Sequence, residues 1–152
     1  MSVRSFLFIF VLALFMGCRG DAKFSSEELE AQQSAWANMM KGHDVVMPLR
    51  NDLYQTSKEL EELAQDAMVE ANDFHPRAQE AIAAIIAADD GMMEWMGHIK
   101  ENPLDSVRQK QIDHAAVMAF IDKETVAIES VADAMQQSLE KGKALIMERN
   151  GQ

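Results

Sequence analysis

The chain has 152 residues, of which 48% are hydrophobic and 26% are charged, and this composition indicates one folded domain rather than a disordered chain. Only three prolines and seven glycines occur, which disfavours a sheet protein because sheets need many turns. The formal net charge of −11 argues against nucleic-acid binding, which requires a basic surface.

The first 17 residues have the pattern of an export signal. Arg4 precedes an apolar run from Phe6 to Met16, and this run is too short for the roughly 20 residues that a membrane-spanning helix needs. It ends at Gly17-Cys18, a small residue followed by a cysteine, as in a lipobox, where the cysteine is acylated and becomes the first residue of the mature protein. The alternative is an ordinary signal peptide followed by a coincidental cysteine.

We therefore predict a lipoprotein signal peptide over 1–17, a lipidated Cys18 with a tether over 18–26, and a helical domain over 27–150. The mature protein would belong to the cell envelope and would be held on a membrane by its lipid. We expect this to be the outer membrane, with the protein facing the periplasm or the cell exterior. Because Cys18 is the only cysteine, an intramolecular disulfide is excluded.

The chain after the tether shows the spacing of three and four between apolar residues that is typical of amphipathic helices. This spacing predicts three long helices, over 27–72, 76–100 and 107–148. Short turns between long helices favour antiparallel neighbours. We therefore expect an all-α protein, an antiparallel up-down-up bundle of three long helices.

Capping and helix-breaking residues indicate where these helices begin and end. Ser25, followed by acids such as Glu28 in the first turn, indicates a helix start. Pro48 lacks a backbone N–H, so the first helix is expected to be kinked or split there. Pro76 is placed at the first position of the second helix, where that N–H is not needed, and Pro103 ends the same helix.

The third predicted helix has the most regular apolar seam, with alternating spacings of four and three that resemble a coiled coil. We expect this seam to face the core. It consists of His114, Met118, Ile121, Thr125, Ile128, Ala132, Met135, Leu139, Gly142 and Ile146.

Three segments carry a resemblance to a known family: His43-Asp44-Val45-Val46-Met47-Pro48, residues 88–96, and residues 138–144. They resemble a family of small uncharacterised Bacteroidetes lipoproteins that is commonly labelled "viral A-type inclusion protein". The resemblance spans nearly the whole chain after the signal peptide. It implies an envelope lipoprotein and leaves the biochemical role open.

Methionine and histidine are concentrated where the predicted helices meet at one end of the bundle. Two pairs, His43/Met47 and His114/Met118, have the i,i+4 spacing that places both side chains on one helical face. Thioether and imidazole groups are soft donors, and soft donors select Cu(I) over harder divalent ions. The predicted ligands are His43, Met47, Met93, Met96, His114 and Met118, and the predicted supporting groups around them are Asp44, Asp89 and Trp95.

Two other interpretations of this cluster stay open. Methionine at helical spacing is more often a flexible core residue than a ligand, so the cluster could be core packing. It could also be a methionine-rich end that docks an envelope protein without metal. The sequence contains no Glu-x-x-His pair, no phosphate-binding glycine loop and no nucleophile elbow. We therefore expect a non-enzymatic binding or scaffold module, with Cu(I) as its one candidate cofactor.

The lipid anchor can be tested by replacing its attachment site. Cys18→Ser removes the thiol that would be acylated, so a protein found with the membrane fraction should become soluble or remain unprocessed. The measurement is fractionation of cells that express either form, together with the mass of the mature N-terminus. A Cys18→Ser protein that is cleaved and still sediments with membranes would rule the anchor out.

Overall fold

A computed structural model describes residues 23–69 and 73–151. In these residues every regular element is helical and no strand occurs, which confirms the all-α class. The elements are α1 (Ser26–Val46), α2 (Leu49–Asp66), a 3₁₀ turn (Ala67–Val69), α3 (Phe74–Glu101), α4 (Leu104–Lys110) and α5 (His114–Asn150). The predicted signal peptide 1–17 and the tether residues 18–22 lie outside the described residues. None of the described helices is both long enough and apolar enough to cross a membrane.

The start of α1 is capped by its own side chains. The hydroxyl of Ser25 accepts a hydrogen bond from the backbone N–H of Glu28 at 3.2 Å, and the Glu28 carboxylate accepts one from the backbone N–H of Ser25 at 2.8 Å. This reciprocal capping box satisfies two N–H groups that no helical carbonyl can reach. The preceding residue, Phe24, is buried, so the chain is already fixed to the bundle before α1 begins.

The helix predicted over 27–72 is split at Pro48. Helix α1 ends at Val46, and α2 begins at Leu49 with Pro48 as its N-cap. The backbone N–H of Met47 still donates to the carbonyl of His43 at 3.0 Å. The interruption is therefore confined to Met47 and Pro48, which is the local effect expected of a missing N–H.

The second long helix begins earlier than predicted. Pro76 is the third residue of α3, which starts at Phe74, and not its first residue. A proline is tolerated there because the first four N–H groups of a helix have no intrahelical acceptor. His75 Nδ1 donates to the carbonyl of Ala64 at 2.8 Å, so this imidazole ties the start of α3 to α2.

The prediction of one helix over 107–148 is wrong at its start. Residues 104–110 form the separate helix α4, and α5 begins only at His114. The reason is the N-cap Asp113, whose backbone is extended and whose carboxylate accepts from the N–H of Ala116 at 2.8 Å. Aspartate is among the preferred N-cap residues, so this boundary had a local signal in the sequence.

Helix α5 packs against each of the other four α-helices. Side-chain pairs show the direction in which each helix runs beside α5. Along α3, residue numbers fall as those of α5 rise, whereas along α1 and α2 they rise together. These pairs are Arg77–Glu148 and His98–Glu124 for α3, and Gln32–His114 and Asp52–Lys143 for α1 and α2. The first half of α5 therefore lies beside α1 and the second half beside α2.

The predicted seam of α5 is buried at most of its positions, but at two positions in its first half the preceding residue is buried instead. Residues Val117 and Glu124 are buried, whereas the predicted Met118 and Thr125 are only partly covered. The first half of α5 therefore buries Val117 and Glu124 in addition to the predicted Ile121 and Ile128. The seam residues that are buried as predicted are Ile121, Ile128, Met135, Leu139, Gly142 and Ile146.

Among the described glycines, Gly142 leaves the least room for a side chain, and a pair of alanine variants tests this. A Cβ at this position would lie 2.7 Å from Cγ2 of Thr56 and 3.2 Å from Cδ1 of Ile85, whereas a Cβ at Gly97 would meet nothing within 4 Å. Gly97→Ala should raise the free energy of unfolding by about 0.5–1 kcal/mol through helix propensity. Gly142→Ala should lower it, leaving the two variants about 1–3 kcal/mol apart because of overpacking.

Urea denaturation of the parent and the two variants measures these differences. Equal stabilisation by both alanines would show that α5 does not approach α2 and α3 closely at Gly142.

Candidate functional site

The predicted methionine ligands and the methionines beside them, Met39, Met40 and Met92, divide by burial. Met39 and Met92 are fully buried core residues. Met40, Met47, Met96 and Met118 are half-buried against that core, and Met93 has 48% of its surface exposed. The cluster is therefore partly core, and only its half-buried and exposed members can reach a ligand. Met92 and Met93 differ in burial because adjacent residues of a helix point to different sides.

His43 on α1 contacts two of the residues that were predicted to support it. Its ring stacks on the indole of Trp95 in α3, with centroids 5.6 Å apart and planes inclined by 28°. Its Nδ1 lies 3.0 Å from Oδ1 of Asp44. Trp95 is itself buried, and its Nε1 finds no hydrogen-bond acceptor among the described residues. The imidazole is thus held between a carboxylate and an aromatic face.

The carboxylate of Asp44 determines which nitrogen of His43 is available. An ionised carboxylate can only accept, so Nδ1 must carry the hydrogen in this contact. In the neutral ring, Nε2 then carries the lone pair. A carboxylate that fixes the tautomer in this way is the usual partner of a metal-binding histidine.

His114 at the start of α5 has the opposite arrangement. The Nε of Arg108 donates to Oε1 of Gln32 at 2.8 Å, and this fixes the orientation of the Gln32 amide. The amide nitrogen of Gln32, 3.1 Å from Nδ1 of His114, must then donate to that nitrogen. The neutral ring of His114 therefore has its lone pair occupied and carries its hydrogen on Nε2. Gln32 is completely buried, so both of its polar groups need these partners.

The structure does not bring His43 and His114 together. His114 contacts Gln32, which precedes His43 by eleven residues on α1, or about 16 Å along the helix axis. Ligands of one ion lie about 2 Å from it, so the two histidines cannot share an ion. The sequence-based prediction placed the start of the third helix beside the end of the second. Helix α4 intervenes and moves His114, with Met118 one turn later, beside the first half of α1.

Asp89 was predicted to orient a histidine, and its partner is instead Arg50. Nε and Nη2 of Arg50 donate to the two carboxylate oxygens of Asp89 at 2.5 and 2.8 Å. This bidentate pair links α2 to α3 beside a groove of about 390 Å³. Leu53 and Ile85 line the groove, together with the more exposed Tyr54.

A buried carboxylate in α5 was missed by the sequence analysis. Glu124 is only 3% exposed, and its Oε1 lies 3.3 Å from Nε2 of His98 in α3. The ring of His98 also stacks on Phe120 at a centroid distance of 6.0 Å. The spacing Val117, Ile121, Glu124, Ile128 gives a second possible seam through the first half of α5, and it could have identified Glu124 as inward-facing.

Among the described residues, no group of three or more histidine, cysteine, aspartate and glutamate side chains is placed to hold a metal ion. None of the protein-family models, curated proteins and solved structures compared with the chain matches it. The family resemblance of the three segments accordingly stays a prediction.

The Arg50–Asp89 pair predicts an acid-dependent loss of stability. Hydrogen bonds from Arg50, and then its positive charge, hold the pKa of Asp89 below its ordinary value of 3.8 against the opposing effect of burial. Because the folded-state pKa is the lower one, the stabilisation is fully present above about pH 4 and is lost as the pH falls through the folded-state pKa. Asp89→Asn should therefore lower the free energy of unfolding by about 1 kcal/mol at neutral pH.

Urea denaturation between neutral pH and about pH 3 measures this difference, which should shrink below about pH 4. The matched control is Asp90→Asn, a change at the adjacent exposed carboxylate that should shift stability by less than about 0.5 kcal/mol. A deficit of Asp89→Asn that stays constant over the whole pH range would contradict the assignment.

Proposed function

We propose that this protein is a non-enzymatic lipoprotein of the cell envelope, a lipid-anchored up-down-up helical bundle that binds Cu(I) at His43. The reversed order of contacts along α3 and the direct order along α1 and α2 support the bundle topology. The lipobox at Gly17-Cys18 supports the anchor. The contact between His43 Nδ1 and Asp44 carries the binding proposal, because it leaves Nε2 with the lone pair that a metal needs.

The methionines near His43 supply the soft donors of the proposed site. Met47 follows His43 by four residues and is half-buried, so both side chains lie on one face of the chain at the end of α1. Met96 is half-buried and follows Trp95, the residue on which the His43 ring stacks. A thioether and imidazole set of this kind selects Cu(I). Met93, which is more exposed, is a further candidate ligand.

His114 and Met118 are not part of the proposed site. The lone pair of His114 is engaged by Gln32, and its position on α5 is remote from His43. The buried network that joins Arg108, Gln32 and His114 has a structural role, because it satisfies the polar groups between α1, α4 and α5. The site is therefore smaller than the sequence indicated, with one histidine and the methionines beside it.

A second candidate function is docking of an envelope protein without metal. The half-buried and exposed methionines favour it, because flexible thioether side chains adapt to the surface of a partner helix. Such a partner would contact Met40, Met47, Met93 and Met96. In that case Cu(I) would bind weakly and without a fixed stoichiometry.

The test is a titration with Cu(I) under reducing conditions against a competing colorimetric chelator. The parent should bind one equivalent and melt at a higher temperature when loaded, because a ligand that binds only the folded state stabilises it. Trp36→Phe removes the other tryptophan, so that the fluorescence reports Trp95 alone. In this background the fluorescence of Trp95 should fall as the site fills. His43→Leu should abolish binding while retaining the helix content.

His114→Leu is the matched control, since it also removes one imidazole from the bundle. It should lower the melting temperature, because Gln32 loses its partner, and yet leave Cu(I) binding unchanged. Met47→Leu and Met96→Leu nearly conserve volume and should weaken binding with little effect on stability. Unchanged binding by His43→Leu would refute the copper site, and so would a loss of binding in His114→Leu alone.

A further inference from the structure

The first described residues fasten the incoming chain to one end of the bundle. The ammonium group of Lys23 donates to the carbonyl of Arg108 at 2.8 Å and also bonds the carbonyl of Gln111. These are carbonyls at the C-terminal end of α4, where a cation is favoured by the helix dipole. Phe24 follows and is buried. The chain therefore leaves the bundle beside the turn that joins α4 to α5.

This attachment limits how far the bundle can stand from a lipid bound to Cys18. Five peptide units separate Cys18 from Lys23, and a fully extended chain of that length spans at most about 18 Å. By contrast, Met147 lies 33 residues beyond His114 on α5, or about 50 Å along the helix. The α4–α5 turn is thus the end of the bundle that a lipid anchor keeps near the membrane.

An apolar side chain projects from this same turn. Ile112 has 84% of its surface exposed, the largest fraction among the described large hydrophobic residues. It directly follows Gln111, whose carbonyl is bound by Lys23, so it lies beside the entry point of the chain. A single exposed isoleucine needs no explanation by itself. Its position next to the fastened tether is what relates it to a lipid surface.

We propose that the α4–α5 turn is the membrane-facing end of the bundle and that Ile112 inserts into the lipid surface. This inference rests on the proposed lipid anchor and is independent of the copper site. The anchor brings the turn within reach of the bilayer, and insertion removes apolar surface from water. Contact at one defined point would orient the long axis of the bundle away from the membrane.

The charges around the turn make this contact apolar rather than electrostatic. In residues 100–114 three acids balance three cations, and Lys23 adds one positive charge. The neighbouring first turn of α1 adds the acids Glu27 and Glu28. This end therefore has no basic surface for attraction to anionic lipid, although it is less acidic than the chain as a whole. Insertion should proceed in vesicles of zwitterionic phosphatidylcholine and gain nothing from added phosphatidylglycerol.

The test uses the full acylated chain in phosphatidylcholine vesicles with spin labels on single cysteines. Acylation consumes the thiol of Cys18, so an introduced cysteine is the only one that reacts. Labels are placed at Ile112→Cys and at the exposed control positions Val126→Cys and Met147→Cys. The label at 112 should be relaxed by oxygen, which concentrates in lipid, and protected from a water-soluble nickel complex. The two control labels should show the opposite behaviour.

A second arm tests the isoleucine side chain itself. A label at Gln109→Cys, on the exposed surface of α4, should become more accessible to nickel when Ile112→Ser is added. If the label at 112 is as accessible to nickel as the label at 147, the insertion proposal is overturned. A parent chain that reacts with the label at Cys18 shows instead that the anchor is absent, so the two failures are distinguishable.

Discussion

Helix α5 is the element on which the rest of the bundle depends, because each of the other four α-helices packs against it. Its 37 residues run without interruption from His114 to Asn150. The buried face of this helix packs against α1 in its first half and against α2 in its second half. Helix α3 packs along it and runs in the opposite direction. At Gly142 the absence of a side chain leaves the space that Thr56 and Ile85 occupy, because a Cβ there would lie too close to both. The register of α5 therefore decides which residues of the other helices can meet.

That register also decides which histidine is free for chemistry. Because α5 starts at His114 and not earlier, His114 lies beside Gln32 and is held by the buried amide that Arg108 orients. The same three residues connect α1, α4 and α5, so the polar network stabilises the end of the bundle where Lys23 and Phe24 lead into α1. His43 lies more than two helical turns away, between Asp44 and Trp95. The hydrogen bond from Gln32 gives His114 a structural role, whereas the contact with Asp44 leaves one ring nitrogen of His43 with a lone pair.

The proposed copper site and the proposed membrane contact differ in how far the bundle covers their side chains. Copper binding at His43 requires soft side chains that are partly covered, so that the ion is retained and still accessible. Insertion at Ile112 requires a side chain that the bundle leaves uncovered at the end where its chain enters. The contact between the buried Glu124 and the exposed His98 contributes to neither proposal. It links α3 to α5, and nothing in its surroundings assigns it a further role.

The features that depend on neighbours within a few residues could be predicted from the amino-acid sequence. The all-α class, the capping box of Ser25 and the split at Pro48 follow from spacing, hydrogen-bonding capacity and a missing N–H, all of which act locally. The pairing of His43 with Asp44 is also local, since the two residues are adjacent. The partners of Asp89 and His114 come from α2 and α1, and they follow from how the helices pack. The short helix α4 and the N-cap Asp113 set where α5 begins. Periodicity within one helix carries no information about its position along a neighbouring helix, so these partners could not be predicted.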